Sequence, residues 1–157
     1  MISTKFLTSF EKKIDYKFKK KSILSDSLTH PSYYKDNFNK KNIENNFERF
    51  EFLGDRVLGL SIASLLFTKY EDLNEGDLSK KYSYLVQKNF LYKISLNLEI
   101  DKILLYNFKK NNQKMIVSIL SDSVESLIGA IFIDGGYKSS YNFIKKFWLP
   151  HLNIAVA

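Results

Sequence analysis

The sequence predicts an all-helical domain, and three observations carry that expectation. Apolar residues recur at helical spacing through most of the chain, alternating runs framed by turn dipeptides are missing, and only 6 glycines and 2 prolines interrupt the 157 residues. With 45% hydrophobic residues, a chain of this length can bury one sizeable core, so one compact domain over 1–157 is expected.

Residues 6–14 form the first amphipathic segment, and a lysine-rich turn follows at 17–21. Residues 22–28 read as a short helix with Ser22 as N-cap, stopped by Pro31. The polar stretch 33–42 is expected to be an exposed, mobile loop. Residues 47–70, FERFEFLGDRVLGLSIASLLFTKY, give the longest periodic stretch and are apolar nearly all round. A helix of that kind lies at the centre of a molecule or against another subunit. One helix is predicted over 75–98, where Leu78, Tyr82, Leu85, Val86, Leu91 and Ile94 keep helical spacing. Residues 106–114 read as a basic loop, and 116–134 as a second strongly apolar helix ended by Gly135 and Gly136. A last amphipathic helix, 137–148, is closed by Pro150. No internal repeat and no linker is visible.

Composition narrows the chemistry. The sequence has 0 cysteines, which excludes disulfides, thiolate metal sites and a cysteine nucleophile. No run reaches the roughly 18 uninterrupted apolar residues of a membrane span, and MISTKFLTSFEKK lacks a secretory apolar core. A soluble cytoplasmic protein with no membrane role is expected. The net charge of +7 attracts polyanions, nucleic acid above all, although a solubilising lysine surplus explains it equally well.

The acids in the two apolar helices do not fit a purely structural role. Glu48, Glu51 and Asp55 fall within roughly 60° of one another around a helix axis, and Asp122 and Glu125 share a face at three-residue spacing. Capping of helix starts accounts for Glu48 and Glu51, and for Asp122 if its helix begins near Ser121. It leaves Asp55 and Glu125 unexplained. Packed together, five carboxylates would each cost several kcal/mol if left ionised and unpaired, and the two arginines, Arg49 and Arg56, offset part of that at most.

Hard divalent cations solve the problem, with Mg²⁺, or Mn²⁺ as substitute, favoured by an all-oxygen donor set. A di-iron carboxylate bundle is excluded because neither His30 nor His151 follows a glutamate at three residues. Oxygen-bound Mg²⁺ in a basic protein points to phosphodiester hydrolysis by metal-activated water. Serine hydrolase chemistry has no support, since no G-x-S-x-G elbow is present. No small-molecule substrate is expected.

FERFEFLGDRVLGL, residues 47–60, resembles the signature helix of the ribonuclease III family, usually close to NERLEFLGDAVLGL. LTHPSY (28–33), EGDLSKKYSYLV (75–86) and SDSVESLIGAIFIDGGY (121–137) follow in the family's order, and the resemblance covers about residues 5–148. Phe47 and Gln87 each stand where asparagine is common, and neither position is a metal ligand in the family.

The resemblance implies the family's endonuclease domain, a helical bundle that forms a homodimer through the signature helix, without the double-stranded-RNA-binding domain of many bacterial members. It implies Glu51, Asp55, Asp122 and Glu125 as metal ligands, with Asp55 and Glu125 the least replaceable. Glu48 and Glu75 become supporting acids of the same cleft. Phe52 matches the aromatic that enters a pocket of the partner subunit, its alternative being an ordinary core residue. The implied activity is metal-dependent cleavage of double-stranded RNA to 5′-phosphate and 3′-hydroxyl ends with a short 3′ overhang. Processing of ribosomal RNA precursors, messenger RNA and other structured RNAs would follow. Two other readings stay open: a non-catalytic RNA-binding or ribosome-associated relative, and an rRNA-trimming enzyme of the Mini-III kind. Lys109, Lys110 and Lys114 are candidate backbone contacts or merely solubilising. Thr29 and His30 read as structural, Arg49 and Arg56 as surface pairing or phosphate contacts, and Tyr82, Tyr84 and Trp148 as core or interface aromatics.

Overall fold

The computed structural model describes residues 1–37, 45–108 and 112–154. Among the described residues seven α-helices follow in order: α1 (Thr4–Ile14), α2 (Lys21–Ser27), α3 (Ser32–Asn37), α4 (Phe47–Lys69), α5 (Glu75–Val86), α6 (Lys88–Asn97) and α7 (Gln113–Trp148). Short 3₁₀ turns occupy Ile100–Lys102 and Leu149–His151. No strand occurs among the described residues; a single parallel bridge joins Thr29 to Leu105, with the His30 amide donating to the Leu105 carbonyl at 2.8 Å.

The two apolar helices form the centre. α4 and α7 pair more extensively than any other elements, and α6, α5 and α2 close around them. Leu58, Ile62 and Leu66 of α4 and Val124, Leu127, Ile128 and Ile131 of α7 are buried between these layers. By composition alone α7 is long and apolar enough to cross a membrane, but most of that stretch is buried against the other helices. Most of its apolar surface is covered by protein, with Ile133 the main exception. Phe47, one of the two departures from the family pattern, is fully buried and meets the His30 ring edge-on at 5.2 Å. It is a core residue at the start of α4.

Four boundaries differ from expectation. The helix predicted over 75–98 breaks at Gln87, whose extended backbone (φ −71°, ψ 155°) ends α5 and starts α6. The bend lets Leu85 and Phe90 both enter the core, and the Trp148 indole nitrogen donates to the Leu85 carbonyl at 3.0 Å, satisfying a group freed at the helix end. Ser22 is not an N-cap: α2 begins at Lys21 with Lys20 in the cap position and no side-chain cap. Instead Asp134 accepts from the Lys19 and Lys20 amides at 2.8 and 3.1 Å and from the Tyr16 hydroxyl at 2.7 Å, tying the turn before α2 to α7. Pro31 precedes α3 rather than stopping α2, so part of the expected loop 33–42 is helical, and residues 38–42 lie outside the described residues. α7 starts at Gln113, earlier than residue 116, with the Asn112 side chain accepting from the Met115 amide at 3.1 Å. Asp122 is therefore well inside the helix and caps nothing.

The predicted stop between 134 and 137 falls at Gly136, the one non-helical residue inside α7 (φ 81°, ψ −178°). Few side chains tolerate that conformation, which explains glycine there.

Candidate metal centre

Two glycines decide how closely the acid-bearing helices approach. A Cβ on Gly54 of α4 would overlap the Glu125 carbonyl, and one on Gly129 of α7 would overlap the Phe50 carbonyl. Backbone thus rests directly on backbone. On α4 the contact points are Phe50 and Gly54, which bracket Glu51; on α7 they are Glu125 and Gly129. The two acidic stripes merge at this crossing.

Glu51, Asp122 and Glu125 can each offer one carboxylate oxygen with all three atoms within 4.8 Å of one another. Asp55 hydrogen-bonds Glu125 from the more exposed side and also pairs with Arg56 at 3.3 Å. Glu48 adds its charge to Glu51 from the first turn of α4. Glu75 does not join the cluster within one chain. It opens α5 and accepts from the Ser79 hydroxyl at 2.6 Å. Glu75 is not among the charges that act on Glu51 or Glu125.

Burial and mutual repulsion dominate the electrostatics. Burial pushes the Glu125 carboxyl up to about 8, reinforced by the charge and hydrogen bond of Asp55 and by Asp122 and Glu51. Burial lifts Glu51 to about 7, with Asp122, Glu48 and Asp55 adding to the rise. Asp122 is raised as well, again by burial. Near neutral pH the centre without a cation therefore retains protons, the behaviour expected of a site built for a positive ion. Its donors are all hard oxygens, half-buried and convergent, which fits Mg²⁺ or Mn²⁺.

Of the two arginines, only Arg56 reaches the acids, at the exposed Asp55. Arg56 lies over the Phe52 ring at 3.9 Å and donates to the Phe52 carbonyl at 3.1 Å, while Arg49 lines an apolar groove with Glu48, Phe52 and Ile133. The cation that acts on the buried acids is Lys88, which opposes the rise of both Glu51 and Asp122. Sequence reasoning missed it because the helix drawn through 75–98 hid the break at Gln87 that presents it. A lysine beside the departure from the usual asparagine was the available signal.

The remaining candidates separate cleanly. The His30 Nδ1 lies 2.8 Å from the Ser32 hydroxyl, and burial lowers its pKa to about 4, so the ring is neutral. The Thr29 hydroxyl donates to the Ser25 carbonyl at 2.8 Å. Both serve the connection beside the Thr29–Leu105 bridge. Trp148 is fully buried, and Tyr82 and Tyr84 pack on the core. Phe52 is 63% exposed, which removes the intramolecular-core alternative within one chain. Lys114 is exposed; Lys109 and Lys110 lie outside the described residues.

Residues 20–152 match the family model described as ribonuclease-III-like. The ribonuclease 3 of Pelagibacter ubique is 41% identical over 147 residues, covering 93% of this chain and 63% of that protein. That of Agrobacterium fabrum is 37% identical over 154 residues, covering 94% of this chain and 60% of the relative. The chain thus spans about three fifths of the length of these curated relatives. Among solved structures, the nuclease domain of ribonuclease III from Campylobacter jejuni superimposes with a TM-score of 0.76 at 33% identity, covering 92% of this chain and 97% of that one. That structure is described as flexible in a region involved in dimer formation. Dicer from Pichia stipitis shares the fold, with a TM-score of 0.63 at 24% identity over 85% of this chain and 56% of that one.

Proposed function

The chain belongs to the ribonuclease III family, and from that premise we propose that its carboxylate centre hydrolyses phosphodiester bonds of double-stranded RNA with bound divalent metal. The observation that carries the reading is the convergence of Glu51, Asp122 and Glu125 at a crossing held by Gly54 and Gly129. Glu51, Asp55, Asp122 and Glu125 would hold Mg²⁺, or Mn²⁺ in its place, with Asp55 and Glu125 as the catalytic pair and Glu48 in support. When bound, the metal supplies an activated water and neutralises charge on the leaving oxygen. The half-buried acids would fix the position of the cation, and because burial raises the Glu51 and Glu125 carboxyls, loading the site would release protons.

A homodimer through α4 completes the proposal. Phe52, Leu60 and Phe67 are 63%, 61% and 74% exposed, and they fall within roughly 80° of one another around the helix. Such a seam of large apolar side chains marks an interface. Two centres facing one cleft would cut one strand each, leaving 5′-phosphate and 3′-hydroxyl ends with a short 3′ overhang. Glu75 would reach that cleft only from the second subunit. Recognition would rest on the shape and backbone of A-form RNA, with ribosomal precursors, messenger RNA and other structured RNAs as substrates in the cytoplasm. Membrane or small-molecule roles have no place in this reading. A relative that had lost cleavage would be expected to lack one of the four acids, and all four are present. The full LTHPSY and FEFLGDRVLGL blocks favour the ordinary class over the Mini-III kind.

The test is cleavage of duplex RNA in Mg²⁺ at low salt, against EDTA and single-stranded controls. Glu125→Gln is expected to abolish cleavage while leaving the dimer and RNA binding intact. Cutting by that variant at the unmutated rate would sink the site assignment.

A further inference from the structure

On the reading that this centre cuts an RNA backbone, we propose that Lys88 is a substrate-positioning residue that binds a backbone phosphate beside the carboxylates, in a groove shared with Lys114.

The placement of Lys88 is the first support. It is the first residue of α6, directly after the extended Gln87, and its Nζ donates to the Ser118 hydroxyl of α7 at 3.0 Å. Ser118 precedes Asp122 by four residues on the same face, a separation of about 5–6 Å between Cβ atoms. The ammonium therefore stands one helical turn from the acids. That offset compares with the spacing of neighbouring phosphates along an RNA strand.

Its bonding is the second. The charge of Lys88 is felt by Glu51 and Asp122, yet the hydrogen bond that holds it runs to a neutral hydroxyl. A lysine serving only to neutralise carboxylates would pair with them directly. Tied to Ser118, the ammonium keeps two further donors to offer a ligand.

The groove is the third. Lys88, Asn89, Asn112, Lys114 and Ser118 line a volume of about 540 Å³, and none of its described lining residues is acidic. The starts of α6 and α7 both open on it, adding the positive ends of two helix dipoles. An acidic centre without its metal repels a polyanion, whereas a donor-rich cationic groove beside it draws one in. The chemistry selected is that of a phosphodiester backbone, not of a base.

Binding of duplex RNA is measured over a range of salt concentrations in the cleavage-inactive Glu125→Gln background. Adding Lys88→Gln is expected to weaken binding about tenfold at low salt and to reduce the slope of log K against log[salt] by about 0.9, equally for different duplex sequences. Lys88→Arg is expected to restore both. In the cleaving protein, Lys88→Gln should raise KM more than it lowers kcat. An unchanged salt slope in Lys88→Gln overturns the proposal even if cleavage falls, since a role confined to the carboxylates would give that result. The nuclease reading is judged separately, by Mg²⁺-dependent cleavage in the unmutated chain and its loss in Glu125→Gln.

Discussion

Glu125 is the residue on which the centre's pH behaviour turns. Its carboxyl, held up at about 8 by burial and by Asp55, binds a proton more tightly in the folded chain than in the unfolded one. A raised carboxylate pKa stabilises the fold below the ordinary value near 4.5 and loses that contribution as pH climbs through the folded value. Glu51, at about 7, acts in the same direction. Thermal stability of the metal-free protein is therefore expected to fall between about pH 5 and pH 8 through these two groups. Mg²⁺ should stabilise increasingly over the same window, because fewer protons must leave. Melting curves with and without Mg²⁺ across that range check both trends, and Glu125→Gln should flatten the metal-free slope. A metal-free protein whose stability is flat across this window in the unmutated form would contradict the burial of these acids.

At the scale of the helix pair, the expected outcome concerns Gly54 and Gly129. Alanine at either position forces a methyl into the opposing backbone, so Gly129→Ala should destabilise by about 1–3 kcal/mol or more through overpacking. By prising α4 from α7 it should also weaken Mg²⁺ binding, measured by calorimetry, beyond what the stability loss explains. The same pair marks the limit of what could be read from the chain beforehand. Helical spacing was enough to place Glu48, Glu51 and Asp55 on one stripe and Asp122 and Glu125 on another, because periodicity is a local property. It carried no information on which turns of the two helices touch. The family resemblance supplied the ranking of the ligands, and Glu75 came from it alone. The break at Gln87 was invisible since the apolar residues on both sides keep a helical spacing, and Lys88 was hidden with it. The tether from Asp134 to the turn before α2 escaped notice because it spans more than a hundred residues, where no local pattern points.

For the whole molecule, the exposed seam of α4 makes the strongest demand. Phe52 carries Arg56 across its ring face, yet most of the aromatic surface stays open. Replacing Phe52 with glutamate is expected to shift the protein from dimer to monomer in sedimentation or light scattering while leaving the helical spectrum unchanged. Duplex cleavage should drop, with nicking of one strand gaining over paired cuts. A Phe52→Glu variant that remained dimeric would place the interface elsewhere. The core within each subunit, in contrast, is expected to keep it folded, since Leu58 and Ile62 are buried on a face of the same helix turned away from the seam.

The glycine crossing has one more consequence, for how this protein can change over time. Where main chain meets main chain, the gap between the acid-bearing helices does not depend on which aliphatic residues fill the interior around it. Exchanges among leucine, isoleucine and valine there can accumulate, raising or lowering the melting point without changing how the carboxylates are spaced. Libraries randomised in the interior should accordingly lose folded members before they lose metal selectivity among the survivors, leaving the reaction insulated from drift in the scaffold.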